Sequence, residues 1–314
     1  MRNFRPETGG ELELVAADGV RLSARMYAPR GPSRGVVLFH SANATPQTYY
    51  ARFADFLAGQ GMRVVTYDYR GIGRSRPRSL RGFRATMTEW ARLDARAAHG
   101  AVRAHFGREP LAIVGHSFGG QLIGLIDEPR EAVAALLVAT QLPSAAHFSL
   151  WMRAWMKASW GALIPALSRT FGYVPGWAGL GEDLPSGAAA EWGKWLAHPR
   201  YLRGYHPDAA ARFAAFDAPV LLYSFSDDEF APPGAVEAMA GALSGAALDH
   251  RKLTPELLGA PVGHFGFFRP KHRELWEEAG AWLRAALEGR PFPERRVGLL
   301  LTQEDIDVGL GQRR

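Results

Sequence analysis

A serine flanked by glycines at a spacing of two residues is the first feature of this sequence that could do chemistry. Residues 115–119 read Gly-His-Ser-Phe-Gly, with Ser117 at the centre, directly after an apolar run at 111–114. A serine exposed at a sharp strand-to-helix turn has strained backbone geometry and needs small neighbours. The spacing therefore predicts a nucleophile at Ser117, with the backbone N–H of Phe118 at the start of the following helix as an oxyanion donor.

The glycine–serine motif is weak by itself because the chain contains 35 glycines, so the surrounding sequence must decide its interpretation. A rival stretch, Gly73-Arg74-Ser75, has Pro77 where the second glycine would stand. The plain alternative is an idle serine in a glycine turn. The apolar run before Ser117 and the helix-compatible stretch after it favour the nucleophile.

A serine nucleophile needs a histidine base, which on an α/β sheet of this kind follows the serine and the acid in the chain. The histidines after Ser117 are His147, His198, His206, His250, His264 and His272. A base must lie on a loop at the end of a strand to reach the serine hydroxyl. Only His264 is predicted on such a loop, between the last strand and the last helix, so we expect it to be the base.

The acid that orients the histidine is expected after the preceding strand, where three carboxylates are adjacent. Asp227, Asp228 and Glu229 follow the predicted strand at 220–224, and spacing alone does not choose among them. One of the three should accept the second ring N–H of the histidine. The alternative position, after the strand that ends near Val138, offers no carboxylate until Glu182.

The elements that must position these residues alternate between short apolar strands and amphipathic helices. This alternation predicts a mostly parallel, doubly wound sheet with helices on both faces. The predicted strands are an opening hairpin at 12–15 and 21–27, followed by 35–40, 63–67, 111–114, 133–139, 220–224 and 247–253, and the predicted helices include 47–60, 88–106 and 271–287.

Two segments interrupt the alternation and define the predicted domains. Residues 141–212 have helical periodicity and no predicted strand, and we interpret them as an inserted helical lid. The core is then 1–140 together with 213–290. Residues 291–314 form a C-terminal tail, and the sequence leaves open whether it is ordered around 297–301.

The predicted lid is rich in tryptophan, and two pairs have helical spacing. Trp151 and Trp155 lie four residues apart, and Trp192 and Trp195 lie three apart. They could hold the lid together, since tryptophan buries a large area. They could also line an apolar acyl pocket over Ser117 and bind substrate. Exposed tryptophans are equally typical of a dimer interface, so a homodimer stays open.

Composition narrows the range of functions. The 314 residues are 47% hydrophobic and 22% charged, and cysteine is absent, which excludes disulfides, thiolate metal sites and a cysteine nucleophile. No close histidine–glutamate spacing indicates a metal, and the predicted chemistry needs no cofactor. The net charge of +6 is scattered, which disfavours nucleic-acid binding. Residues 1–10 lack the apolar run of a secretory signal and no stretch suits a membrane span, so we expect a cytoplasmic protein.

Four stretches together resemble the α/β-hydrolase superfamily over about residues 10–290. They are His40-Ser-Ala-Asn, Val65-Thr-Tyr-Asp-Tyr-Arg-Gly-Ile-Gly-Arg-Ser75, Gly115-His-Ser-Phe-Gly-Gly120 and Gly263-His-Phe-Gly-Phe-Phe268. The sequence is most similar to bacterial members grouped with the serine aminopeptidase and monoacylglycerol-lipase-like branch. The resemblance implies the α/β-hydrolase fold with an inserted lid.

The resemblance also implies roles for particular residues. The family's nucleophile and base match Ser117 and His264. Its acid commonly precedes a proline by four residues, which selects Asp228 before Pro232. Its second oxyanion donor is the backbone N–H two residues after the histidine that ends a strand, which is Ala42 here. The chain departs from the family at Ser41, where a glycine is usual, and a positive φ there would strain a serine.

Together these features predict a serine hydrolase that cleaves a small-molecule carboxylic ester, with a hydrophobic acyl group, through an acyl-enzyme. The same triad serves an amidase, a peptidase or an acyltransferase, and the sequence does not separate these from an esterase. A carboxylate nucleophile is disfavoured because residue 117 is serine. A different class, a catalytically idle ligand-binding protein on the same fold, is the remaining alternative.

Overall fold

The structure of the chain is a computed structural model that describes residues 9–293. The predictions for residues 1–8 and for 294–314, including order around 297–301, lie outside the described residues. At the start of the predicted tail, the ring of Phe292 stacks on Trp282 with the ring centroids 4.8 Å apart. The described part of the tail therefore lies against the last helix.

Eight strands form one sheet at the centre of the molecule, in the order β1-β2-β4-β3-β5-β6-β9-β10. The strands are β1 Gly10–Val15, β2 Arg21–Tyr27, β3 Val36–His40, β4 Arg63–Tyr67, β5 Leu111–His116, β6 Ala134–Val138, β9 Val220–Phe225 and β10 Leu248–Leu253. β2 pairs antiparallel with β1 and β4, and all other neighbours are parallel. The predicted hairpin and doubly wound sheet are confirmed, with boundaries that differ by only a residue or two.

The central parallel strands β3, β5 and β6 are buried along their whole length because both faces of the sheet are covered by helices there. The edge strand β10 is polar at Asp249, His250 and Lys252. In β3, Val36 and Leu38 belong to one buried cluster, while Val37 and Phe39 belong to the other. This alternation follows from the two-residue period of a strand. The first cluster includes residues of α3 Arg96–Phe106, α4 Phe118–Leu125 and α9 Pro233–Ala242, and the second includes residues of α1 Ala51–Gly59 and α11 Arg273–Leu287.

The helix predicted at 88–106 is present, but a wider turn interrupts it. It consists of α2 Met87–Glu89, a π-helical turn at Trp90–Ala95, and α3. The π turn carries the contacts to one loop residue: the Asp94 carboxylate accepts the backbone N–H and the Nε–H of Arg70, and the indole of Trp90 donates to the Arg70 carbonyl. These tertiary contacts place the interruption where sequence periodicity alone predicts a continuous helix. Within residues 9–293, no helix is both long and apolar enough to cross a membrane.

The segment between β6 and β9, residues 139–219, is called the insert below. Its helices are α5 Leu150–Ala158, a π turn at Ser159–Leu163, α6 Ile164–Phe171, α7 Ser186–Ala197 and α8 Ala209–Ala214. The prediction that this segment contains no strand is wrong. β7 Tyr173–Val174 pairs antiparallel with β8 Leu184–Pro185. Val174 and Leu184 are fully buried, so this short ladder satisfies backbone groups that water cannot reach. The remaining short helix, α10 Pro255–Leu258, follows β10.

The contact between α4 and α8 gives a test of how the insert is anchored to the core. A Cβ atom on Gly124 of α4 would lie 2.2 Å from the ring of Phe213 on α8, and Phe213 is fully buried. We expect Gly124→Ala to lower the free energy of unfolding by about 1–3 kcal/mol through overpacking. Urea denaturation followed by circular dichroism measures this change.

The matched control is Gly100→Ala on the exposed side of α3, where a Cβ atom has no neighbour within 4 Å. Alanine is the better helix former, so we expect Gly100→Ala to raise stability by about 0.5–1 kcal/mol. Equal effects of the two substitutions would contradict tight packing between α4 and α8.

Candidate active site

Ser117 lies in the sharp turn between β5 and α4, with φ 51° and ψ −115°. Its neighbours have no room for side chains: a Cβ atom on Gly119 would lie 2.1 Å from the His40 carbonyl oxygen, and one on Gly115 would lie 2.6 Å from the Gly120 Cα. The glycines of the motif are therefore required by close backbone approach. They let the helix begin directly against the end of β3, with Ser117 at its N-terminus.

The structure brings His264 and Asp228 into direct contact. His264 Nδ1 lies 2.7 Å from Asp228 Oδ2. The other carboxylate oxygen, Oδ1, accepts the backbone N–H groups of Phe230 and Ala231, each at 2.9 Å. Since an ionised carboxylate only accepts hydrogen bonds, Nδ1 carries the ring proton and leaves Nε2 free to act as a base.

The three adjacent carboxylates of the acid loop have different surroundings. Asp227 Oδ2 accepts the backbone N–H groups of Val262 and Gly263, at 2.8 and 2.9 Å, and so fixes the loop just before His264. Glu229 is exposed. The structure thus places Asp228 alone against the histidine ring, and Asp227 behind it as a support for the histidine loop.

A chain of buried hydrogen bonds, which the sequence analysis did not anticipate, joins the loops of the site. The Ala42 N–H donates to the Tyr50 hydroxyl at 2.9 Å, and this hydroxyl lies 2.8 Å from His116 Nδ1. His116 Nε2 lies 2.9 Å from the His264 carbonyl. A carbonyl only accepts, so Nε2 is the protonated nitrogen and the Tyr50 hydroxyl donates to Nδ1. Burial lowers the pKa of His116 well below its usual range, which keeps the ring neutral.

The only sequence signal for this chain of bonds is the position of its members. His116 is the residue before Ser117, and Tyr50 is the residue before α1, after the loop that holds Ala42. Neither residue type predicts the partner, because the bonds join residues that lie 66 and 148 positions apart.

The predicted oxyanion donors are placed differently. Phe118 is the first residue of α4, and the N–H groups of a first helical turn have no intrahelical acceptor. The Ala42 N–H, in contrast, is already bonded to Tyr50. On the same loop, the Ser41 Oγ and both amide atoms of Asn43 are buried without a partner among the described residues. A water or a substrate group there would satisfy them.

The departure at Ser41 causes no backbone strain. Among residues 9–293, the non-glycine residues with positive φ are Ala44, Ser117, Ala139 and Tyr201. Ser41 is not one of them, so the loop after β3 does not need the glycine that is usual in the family.

Two buried histidines support the start of this loop. His40 Nδ1 lies 2.8 Å from the Tyr67 hydroxyl, and His40 Nε2 lies 3.2 Å from Nε2 of His99. Burial lowers the pKa of His40 well below its usual range and lowers the pKa of His99 to about 3. Both rings are therefore neutral at physiological pH, and they act as hydrogen-bonding supports.

The four lid tryptophans of the sequence analysis fall into two groups. Trp195 is buried and packs on Phe118, with ring centroids 6.5 Å apart, so it supports the residue next to the serine. Trp192 packs on Trp160 within the insert. Trp151 and Trp155 are exposed on α5. Of the four, Trp195 is thus the one that the structure brings against a predicted site residue.

Aromatic rings flank the predicted base. The His264 ring lies 5.3 Å from Phe230 and 5.0 Å from Phe265, measured between ring centroids. Phe230 is 50% exposed and Phe265 is partly exposed. The Tyr49 hydroxyl donates to the Phe265 carbonyl at 2.8 Å. The approach to the histidine is therefore apolar. Within residues 9–293, no group of three His, Asp or Glu side chains is arranged to hold a metal ion.

The chain matches a known protein family and resembles solved structures. A model described as "Alpha/beta hydrolase family" matches residues 36–274. No curated protein matches the chain in sequence. The solved structures that resemble it include an esterase from Pyrococcus furiosus, with 13% identity over 88% of this chain and 94% of the other at a TM-score of 0.56.

Two further solved structures are similar to a comparable extent. A thermophilic esterase from Thermogutta terrifontis has 18% identity over 88% of this chain and 99% of its own, at a TM-score of 0.58. The esterase domain of a Rhodothermus marinus protein has 19% identity over 88% of this chain and 98% of its own, at a TM-score of 0.56. At these identities the likeness is one of fold, and it confirms the predicted architecture.

The neutral histidines make the stability of the fold depend on pH. The folded pKa of His99 is about 3, below the usual 6.5, so between these values the unfolded chain binds one proton more at this residue. The contribution of His99 to the free energy of unfolding is therefore complete at neutral pH. It decreases as the pH falls from about 6.5 to about 3, by up to about 1.4 kcal/mol per pH unit for one histidine. We expect His99→Gln, which keeps a hydrogen-bonding group beside His40, to make this decline less steep.

Urea denaturation at intervals between pH 7 and pH 4 measures the slope. His105→Gln, at an exposed histidine of the same helix, is the matched control and should keep the parent slope. If the free energy of unfolding of His99→Gln and of the parent protein decreased with the same slope as the pH falls, His99 would not contribute to acid sensitivity.

Proposed function

The chain belongs to the alpha/beta hydrolase family, and we propose that it is a serine hydrolase that cleaves a carboxylic ester through an acyl-enzyme. One observation carries the proposal. Asp228 holds His264 by a 2.7 Å hydrogen bond at the end of the sheet where Ser117 occupies a strained turn. A histidine with a fixed tautomer and a serine at a helix N-terminus are the groups that acyl transfer needs.

In the proposed reaction, the Ser117 hydroxyl attacks the ester carbonyl while Nε2 of His264 takes its proton. The tetrahedral intermediate collapses, the bond to the alkoxy group breaks, and His264 returns the proton to the leaving alcohol. Water then attacks the acyl-enzyme by the same route and releases the acid. Asp228 stabilises the imidazolium that forms in each half, and its own position is held by the N–H groups of Phe230 and Ala231.

The negative charge on the carbonyl oxygen needs hydrogen-bond donors. The Phe118 N–H is the first donor, at the positive end of α4. We propose that the Ala42 N–H is the second, and that it exchanges its bond to the Tyr50 hydroxyl for the oxyanion as charge develops. Tyr50 would then keep its bond to His116.

The apolar rings beside the base favour a hydrophobic ester. Phe230 and Phe265 flank His264, and a partly exposed aromatic surface there would gain free energy by covering an apolar group of the substrate. We propose that Trp195 contributes from the insert by supporting Phe118. The similar fold of the esterases from Pyrococcus furiosus and Thermogutta terrifontis is in agreement with an ester substrate.

The serine is tested by covalent labelling. A fluorophosphonate should add once to the wild-type protein, read as a single increase in intact mass, because only an activated serine reacts. Ser117→Ala should give no adduct while its circular dichroism spectrum stays unchanged. Ser226→Ala is the matched control, since this exposed serine lies two residues from Asp228 and should leave labelling intact.

Labelling that survives in Ser117→Ala would refute the nucleophile assignment. The absence of an adduct on the wild-type protein would refute the hydrolase proposal and leave ligand binding as the function to test.

The acid is tested by comparing neighbouring carboxylates. Asp228→Asn keeps the shape of the side chain but removes the charge and the acceptor that fix the His264 tautomer, so we expect kcat for a p-nitrophenyl ester to fall by about 10⁴. Glu229→Gln, at the exposed neighbour, should stay within about twofold of the parent, as surface changes usually do. Similar losses in both variants would show that Asp228 has no special role.

A further inference from the structure

Helix α5 of the insert lies on the surface, with most of its apolar side chains in contact with solvent. None of its nine residues, all of which the structure describes, is buried. Leu150 is 80% exposed, Trp151 75% and Trp155 51%. Apolar surface of this size normally marks a place where something else binds, since leaving it in water costs free energy.

The helix is nevertheless held in position at its beginning. The Ser149 side chain accepts the N–H of Met152 at 3.3 Å, which caps the helix. The guanidinium of Arg153 donates to the carbonyls of Phe148 and Ala146, each at 2.9 Å. These bonds fix the entry of the chain into α5 without burying its outer face. The exposed tryptophans are therefore presented on an ordered helix.

Helical geometry separates α5 into three strips. With about 100° per residue, Met152 and Met156 lie on one side, and Met156 packs against the core. Leu150, Trp151 and Trp155 occupy the arc that faces away from these methionines. Arg153 and Lys157, four residues apart and both exposed, lie along the remaining edge. An outward apolar strip with cations on its border is the pattern of a helix that lies in a membrane interface.

The charge of the surrounding chain agrees with this pattern. The sequence contains no aspartate or glutamate from residue 132 to residue 181, whereas it contains Arg153, Lys157 and Arg169 in the same stretch. Two further exposed apolar side chains, Leu163 and Trp177, also belong to this stretch. Any anionic surface that approaches α5 therefore meets attraction from this segment and no repulsion from it.

We propose that α5 docks the protein onto an anionic lipid surface. Leu150, Trp151 and Trp155 enter the boundary between head groups and acyl chains, where tryptophan is favoured because its ring is apolar and its N–H is polar. Lys157 and Arg153 remain among the lipid phosphates, and each cation near such a surface contributes about 1 kcal/mol. The docking does not depend on ester cleavage, so it is tested independently of the proposed function.

A second copy of the chain is the competing occupant of the same face. A symmetric contact through α5 would bring together two helices that each carry Arg153 and Lys157, and neither copy has a carboxylate between residues 132 and 181 to pair with them. Like charges across an interface oppose association. The charge of this segment thus favours an anionic lipid surface over self-association.

The test is cosedimentation of the purified protein with vesicles. One set is phosphatidylcholine alone and the other contains phosphatidylglycerol as well. We expect strong binding to the anionic vesicles, weaker binding to the neutral ones, and a decrease with added salt. The double variant Trp151→Ser/Trp155→Ser should lower the partition coefficient by at least about tenfold because it removes most of the apolar area that enters the lipid. Lys157→Gln should lower it about fivefold on anionic vesicles only.

The controls are matched in chemistry and exposure. Val15→Ser/Val133→Ser removes exposed apolar side chains outside the insert, and Arg108→Gln removes an exposed cation outside it, and both should bind as the parent does. Equal binding of the double tryptophan variant and the parent would overturn the proposal. So would equal binding to the two kinds of vesicle. If the parent protein did not bind vesicles but formed a dimer, and the double tryptophan variant did not dimerise, α5 would be a self-association surface instead. None of these readouts requires an active Ser117.

Discussion

The close approach of α4 to the end of β3 is the contact on which the candidate site depends. A side chain at Gly119 would collide with the His40 carbonyl, and one at Gly115 would collide with Gly120. Only this approach lets a helix start immediately after a strand, and it forces Ser117 into the left-handed region at φ 51°. The same contact therefore positions the proposed nucleophile and the first N–H groups of α4. Packing between α4 and β3 accounts for the strained backbone at Ser117.

The buried hydrogen bonds extend this constraint to the other loops. His116 occupies the position before Ser117 and reaches the His264 carbonyl on one side and Tyr50 on the other. Tyr50 in turn holds Ala42, at the loop after β3. Two loops that are distant in sequence, those of Ala42 and His264, are thus tied to the residue beside Ser117. Because burial keeps His116, His40 and His99 neutral, their bonds have defined donors and acceptors near neutral pH. The cost of this arrangement is sensitivity to acid.

Much of the fold was predictable because its signals are local. Local sequence patterns of a few residues indicate the apolar strands β3 and β5, the opening hairpin and the helix after His264. Features set by distant contacts were not predictable. The π turn at Trp90–Ala95 carries the contacts to Arg70, and the ladder between β7 and β8 joins residues on either side of a loop. Neither has a periodicity of its own in the sequence.

The candidate site shows the same division. Ser117 and His264 could be proposed from motif and chain order. Spacing alone left Asp227, Asp228 and Glu229 open, and only the family resemblance selected Asp228, the carboxylate that contacts His264 in the structure. The occupation of the Ala42 N–H by Tyr50 was also hidden, because a hydrogen bond between a backbone donor and a side chain eight residues away leaves no pattern.

The distribution of acidic residues connects the core with the insert. The absence of carboxylates from residue 132 to residue 181 means that the loop directly after β6 cannot supply an acid for a histidine. The proposed acid therefore lies on the loop after β9, where Asp228 contacts His264. The same absence means that no carboxylate within this stretch neutralises Arg153 and Lys157 on α5. One compositional feature thus has two consequences: it leaves no acid on the loop after β6, and it leaves the cations of α5 without a carboxylate in their own stretch of the chain.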